Sequence, residues 1–137
     1  MSRAGDRIAA RARSLVGTRF RPQGRDPALG LDCVGTAAAA IGIPAERVRS
    51  DYALRGEDLA QVEHALCELG WGSVGAEGAE PGDVILCRAG PAQIHMVIAT
   101  GTGFVHADAR LRCVVERPLP LPWRVLGVWR QADGEVG

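Results

Sequence analysis

The hydrophobic period of the chain changes once, near residue 70, and that change sets the class of fold open to it. Upstream the apolar residues recur at helical spacing. In "DRIAARARSLV", residues 6–16, Ile8, Ala12, Leu15 and Val16 form one stripe opposite Arg7, Arg11 and Arg13, and Gly17 ends the helix. "CVGTAAAAIG", from Cys33, has the helix propensity of its alanines, with Asp32 as N-cap and Gly42 as stop. Its small residues predict close packing against neighbours. A third helix, "EDLAQVEHALCEL" over 57–69, carries Leu59, Val62, Leu66 and Leu69 on one face, acidic residues in its first turn, and Gly70 after its end.

Downstream the period is two. "DVILCR" 83–88, "QIHMVIAT" 93–100, "GFVHAD" 103–108, "RCVVERPL" 112–119 and "WRVLGVWR" 123–130 are short β-rich runs separated by Gly, Pro and Asp turns. Helices followed by an antiparallel meander predict an α+β domain, its N-terminal helices packed on one face of a five- to six-stranded, mainly antiparallel sheet. At 137 residues the whole chain, 1–137, fits one domain, with the tail "QADGEVG", 131–137, frayed.

Charge and composition narrow the partners. Sixteen basic and sixteen acidic residues leave no net field to concentrate nucleic acid or anionic lipid, so neither is expected as a partner. No apolar run approaches the roughly 18 residues of a membrane span, and the N-terminus has no signal-peptide pattern; synthesis in the cytoplasm without a leader is expected. Cys33, Cys67, Cys87 and Cys113 contain no CxxC pair, so neither a zinc ribbon nor a disulfide framework is indicated, and most are expected to be reduced and buried. No cofactor is called for.

Chemistry concentrates in two places. The stretch 18–31, too broken by Pro and Gly for helix or strand, delivers the chain to Cys33 at a helix start. There the cysteine is either a small buried side chain or a nucleophile. Far downstream, His95 and His106 lie in adjacent strands joined by the turn "TGTG", and counting outward from that turn brings both imidazoles within cross-strand range. Apolar residues flank both, and a buried imidazole must find hydrogen-bond partners, so two of them in core-like strands suggest a site. A helix dipole and a neighbouring imidazolium lower a thiol's pKa, the logic of papain-type catalysis.

The remaining candidates read as structural. His64 is a surface side chain of the third helix, and Cys67, Cys87 and Cys113 are small hydrophobes in apolar-periodic segments. Asp83 is a turn residue, and Trp71, Trp123 and Trp129 either pack in the core or at an edge, or line a sugar groove.

Together these motifs resemble the NlpC-type papain-like cell-wall peptidases. "ARSLVGTRFRPQGRDPALGLDCVG" is similar to that family's opening helix, "GTPY"-like turn and "DCSG"-like nucleophile motif. "EPGDVILCR" resembles its turn into the first strand, "IHMVI" its catalytic-histidine strand and "GFVHAD" the strand of its third polar residue. The run "RCVVERPLPLPWRVLGVWR" is similar to the closing strands of the subgroup encoded with phage tails and gene transfer agents. The resemblance spans about residues 6–130. It implies Cys33 as nucleophile, His95 as general base and then acid, and His106 as the residue fixing the His95 ring, with the Cys33 backbone N–H helping to hold the oxyanion. It also places Asp32, besides capping the helix, near a substrate amine, and puts Phe20 in the substrate-facing turn where many relatives have Tyr. Val34 stands where many have Ser.

Three readings follow. One is a cysteine endopeptidase or amidase acting on peptidoglycan stem peptides, mounted on a phage-like tail or gene-transfer-agent baseplate and presented at the target envelope. The alternative is a weakly active or inactive baseplate component of the same fold, docked on tail hub or fibre proteins. The third is a metal site of Cys33, His95 and His106, which lacks the usual close ligand spacing.

Overall fold

Side-chain period and turn residues together dictate where the elements begin and end. The computed structural model describes residues 3–44, 59–75, 78–91 and 93–131. In chain order these contain α1 (Arg3–Ser14), β1 (Arg25–Asp26), β2 (Gly30–Leu31), α2 (Cys33–Ile41), α3 (Leu59–Glu68), β3 (Trp71–Val74), β4 (Val84–Gly90), β5 (Gln93–Ala99), β6 (Gly103–Asp108), β7 (Cys113–Pro118) and β8 (Arg124–Gln131). The α+β class holds, with a six-stranded antiparallel sheet ordered β3-β8-β4-β5-β6-β7.

That order corrects the simple meander. β4 to β7 follow one another, but β8 returns across the sheet to lie between β3 and β4. Pro118, Pro120 and Pro122 give the reason: each lacks a backbone N–H, so the chain leaving β7 cannot continue a ladder there. The edge strand β3, "WGSV", escapes the sequence pattern because only Trp71 of its four residues is buried.

Alternation assigns the two faces of the sheet. Val84 and Leu86 of β4, Met96 and Ile98 of β5, and Val105 and Ala107 of β6 face the helices, where they meet Ile8, Ala12, Val34, Ala37, Val62 and Leu66. Ile85, Cys87, Val97, Ala99, Phe104 and Val128 build a second apolar layer on the opposite face, covered in part by Leu121 and Trp123. Trp71 and Trp129 are buried in the helix-side core.

The helices end sooner than the apolar stripes suggest. Residues 15–17 form a turn closed by Gly17 in the left-handed region (φ 94°), which leaves Val16 45 % exposed. Likewise Leu69 lies past the end of α3 and is exposed, as is Cys67, while Cys113 is half-buried and Cys87 fully buried. The start expected for the third helix, at 57–58, lies outside the described residues. Within α2 the expected caps form: Asp32 accepts from the Gly35 N–H, and Gly42 (φ 102°) donates its N–H to Ala38. Arg11 of α1 adds a second C-terminal cap, donating to the carbonyls of Ala40 and Ile41 at 2.7 and 3.0 Å.

Two further expectations are corrected. The stretch 18–31 is not wholly irregular: it holds the β1–β2 hairpin and hydrogen-bonds along β7 through Gly17 to Val114, Val114 to Thr18 and Phe20 to Arg112. These pairs are too short and too polar to leave an alternating signature. Asp83 is no mere turn residue but a buried anion, 1 % exposed, paired with Arg130 at 2.9 and 2.8 Å.

Candidate active site

The start of α2 is locked from three sides. Oδ1 of Asp32 accepts from the Gly35 N–H at 2.9 Å and from the Arg25 guanidinium at 2.6 Å, while Oδ2 accepts from the Gln23 N–H at 3.1 Å. Thr36 donates its hydroxyl to the Asp32 carbonyl at 2.7 Å. Gly35 has a steric role too, because a Cβ there would collide with the carbonyl of Gly24, so only glycine lets the preceding loop cross the first turn. The consequence is a fixed backbone around Cys33, whose side chain is partly buried against the helix-side core.

β5 and β6 meet this point with an unusual ladder. They pair only at Ile98↔Val105 and Ala99↔Phe104, next to the turn, and separate beyond it. The Met96 backbone N–H hydrogen-bonds the Cys33 sulfur. Across the separation, His95 Nε2 and His106 Nδ1 lie 2.9 Å apart, their rings nearly perpendicular at 87°. His106 is buried and His95 half-buried.

Apolar and cationic groups wall the pair. The Trp123 ring stands edge-on to both imidazoles, with centroids 5.0 and 5.2 Å away, and Phe104 tilts against His106 at 5.4 Å. Arg117 lies over the rings of Phe104 and Trp123 at 5.9 and 5.8 Å. Asp108 Oδ2 approaches His106 Nε2 to 4.0 Å.

This enclosure decides the charge state. Burial pushes the Cys33 thiol up to about 12, reinforced by the Asp32 carboxylate and opposed by the Met96 N–H, Arg25 and the Val34 N–H. Burial, then the neighbouring His106, hold His95 down at about 4. His106 is also below its ordinary value, because burial and Arg117 outweigh the pull of Asp108 and the Ala107 backbone. The expectation of a thiol acidified by a helix dipole and an imidazolium is therefore corrected: desolvation wins, and at neutral pH the resting thiol and both imidazoles are uncharged.

Among the described residues, no three His, Cys, Asp or Glu side chains converge so as to hold a metal ion. No helix among them is long and apolar enough to cross a membrane.

No protein-family model matches the sequence, and no curated protein matches it. Solved structures do match. NlpC2 from Trichomonas vaginalis superposes with a TM-score of 0.68 at 19 % identity over 93 % of this chain and 47 % of its own. The fold is that of the NlpC/p60 domains. The NlpC/p60 domain of the peptidoglycan hydrolase SagA gives a TM-score of 0.58 at 21 % identity, covering 83 % of this chain and 88 % of its own. The peptidoglycan hydrolase RipB from Mycobacterium tuberculosis gives 0.61 at 20 % identity, covering 95 % and 65 %. The chain thus spans about half the length of NlpC2 and two thirds of RipB.

Within this NlpC/p60 fold the residues singled out from sequence separate into two groups. His95 and His106 are joined by a hydrogen bond and stand with Trp123 on the sheet face of Cys87, Val97 and Phe104, whereas Cys33 packs into the helix-side core and meets β5 at the Met96 N–H; among the described residues no hydrogen bond joins Cys33 to either imidazole. Asp32 is engaged in the cap and the Arg25 ion pair, and Phe20 packs against the helix-side core. His64 is a surface residue, 3.4 Å from Glu68. Sequence reasoning passed over Arg25 and Asp108, and read Trp123 only as a packing or sugar-groove residue, not as a wall of the imidazole pair. Only Asp108 left a usable signal: two residues after His106 in a strand, it faces the same side.

Proposed function

We propose that the chain is a cysteine endopeptidase or amidase that cuts peptidoglycan stem peptides, with Cys33 as nucleophile, His95 as base and then acid, and His106 orienting His95. The observation that carries this reading is the His95–His106 hydrogen bond at the split between β5 and β6, directly beside the strand N–H that reaches the Cys33 sulfur. Because His95 Nε2 is engaged by His106, Nδ1 is the nitrogen available for the thiol proton.

With both partners neutral at rest, attack and proton transfer are coupled. The sulfur bonds to the substrate carbonyl carbon as its proton passes to His95 Nδ1, and the oxyanion is held by backbone N–H groups at the start of α2, that of Cys33 among them. His95 then gives the proton to the leaving amine as the C–N bond breaks. Water, giving a proton to His95, then attacks the acyl carbon; the C–S bond breaks, the acid is released and His95 returns the proton to the sulfur. The Trp123 edge keeps bulk water from the imidazole pair. Similarity to structures described as peptidoglycan hydrolases supports the substrate class.

Mounting on a phage-like tail rests on the resemblance of the closing strands to the tail-encoded subgroup. It predicts that the chain co-purifies with tail particles, and particles lacking it would remove that part of the reading. The catalytic part is tested by incubating wild type and Cys33→Ala with purified muropeptides and reading products by mass spectrometry. Cleavage by wild type should fall at least about 1,000-fold in the variant, with the melting temperature little changed. Muropeptides left intact by wild type would favour a docking component without activity.

A further inference from the structure

The hydrogen bond between the two imidazoles has a direction, and that direction exposes a need further along the chain. Neutral His95 carries one ring proton. If Nδ1 is to receive the thiol proton, the resting proton sits on Nε2, so His95 donates and His106 Nδ1 accepts. Neutral His106 must then carry its own proton on Nε2. That nitrogen is buried and has no hydrogen-bond partner among the described residues. A buried N–H without an acceptor is costly, and the alternative tautomer, protonated on Nδ1, would turn the His95–His106 bond around and occupy the nitrogen meant for the thiol proton.

One carboxylate faces this nitrogen. Asp108 follows His106 by two residues on β6, hence on the same face, and its Oδ2 lies 4.0 Å from His106 Nε2. Its other oxygen is held in place by the N–H groups of Arg110 and Leu111 at 2.9 and 3.0 Å, so the carboxylate cannot simply swing away. Among the described residues, the other charged or titratable groups around His106 are His95 from β5 and Arg117 from β7. Arg117 disfavours positive charge on His106, and Asp108 favours it on both His106 and His95.

We infer that Asp108 is a positioning residue at the end of a relay running Cys33, His95, His106, Asp108: it selects the Nε2–H tautomer of His106 and steadies the positive charge that His95 acquires. This rests on the peptidase reading above for its catalytic consequence, though not for the tautomer itself. No proton passes to Asp108. The thiol proton moves to His95 Nδ1 as the sulfur–carbon bond forms, and the protons on His95 Nε2 and His106 Nε2 stay where they are. Side-chain motion of about 1 Å on substrate binding converts the 4.0 Å approach into a hydrogen bond, the kind of tightening that catalytic contacts undergo in a Michaelis complex. The Asp108 carboxyl is suited to the role: burial opposes its ionisation, but the Leu111 and Arg110 N–H groups, with His106 and Arg117, hold it below its ordinary value.

The informative substitution is Asp108→Asn, whose amide oxygen keeps the two turn hydrogen bonds while removing the charge. Imidazole nitrogen NMR on the substrate-free protein at pH 7 should show His95 and His106 both protonated on Nε2 in wild type. Asp108→Asn should populate the Nδ1–H form of His106, and Asp108→Glu should restore the wild-type pattern. On muropeptides, Asp108→Asn should lose about 10- to 100-fold in kcat with KM little changed, with the acid limb of the pH profile displaced. His106 protonated on Nδ1 in wild type would overturn the inference, as would an Asp108→Asn protein with the wild-type tautomers and kcat within about twofold. Failure of the peptidase reading looks different: cleavage would be absent or independent of Cys33, while tautomers that shift in Asp108→Asn would still establish control by Asp108.

Discussion

Two polar pairs, each with one buried member, sit on the same sheet and are built on opposite terms. Asp83 and Arg130 are saturated: both carboxylate oxygens take the guanidinium, Oδ2 also accepts from the Glu80 N–H, and Glu80 adds a longer contact to Arg130 at 3.9 Å. His95 and His106 share one hydrogen bond, leave a buried nitrogen without a partner and are held uncharged by burial. A fully satisfied pair fixes a structure; an under-satisfied pair is a place where a proton can move. The ladder around each agrees. Val84 to Leu86, next to Asp83, pair on both sides with β5 and β8, whereas the histidines lie where β5 and β6 part.

Substitutions at the two pairs should therefore fail in different ways. The largest effect is expected from His95→Gln, which removes the base: muropeptide cleavage should drop about 1,000-fold while the protein stays folded by circular dichroism. Comparable cleavage by variant and wild type would erase the distinction. Next comes Arg130→Ala, which strands the buried Asp83 charge. A stability loss of about 2 to 3 kcal/mol, near 10 °C in melting temperature, is expected, with kcat per folded molecule unchanged. The figure is at the low end for a buried pair because the Arg130 side chain is 30 % exposed.

The third effect is a pH dependence of stability, comparable in size to the loss expected from Arg130→Ala. His95 titrates near 4 in the folded protein and near 6.5 when unfolded, and His106 is shifted the same way. Between those values the unfolded chain binds more protons, so stability rises with pH, is complete above about 6.5 and is lost as pH falls towards 4. Thermal melts across pH 4 to 7 should show this slope, and His95→Gln should flatten it. An unchanged slope would place the titrating group elsewhere.

Much of this arrangement was legible in the sequence, for reasons that are local. Asp32 and Gly42 cap α2 because cap chemistry depends only on neighbouring residues. Counting from the "TGTG" turn put His95 and His106 on one face, and the period of two carries that inference reliably over a hairpin. Period does not say which strand a run will pair with, so the return of β8 beside β4 was invisible, as was the early parting of β5 and β6. Nor does it report burial of a charge by distant groups. Asp83 read as a turn residue because its partner, Arg130, is 47 positions away. Cys33 read as an acidified thiol because the helix start is visible in sequence and the desolvating strands above it are not.

The exposed Cys67 supplies an internal control for the claim that Cys33 does the chemistry. With iodoacetamide added stepwise, peptide mass spectrometry follows the alkylation of each cysteine while muropeptide cleavage is measured on the same samples. Cys67, exposed, should be modified first with no loss of cleavage, and Cys33, a partly buried neutral thiol, later. Cleavage should then fall in proportion to the fraction of Cys33 alkylated. Cleavage that persists when Cys33 is fully modified would contradict the account.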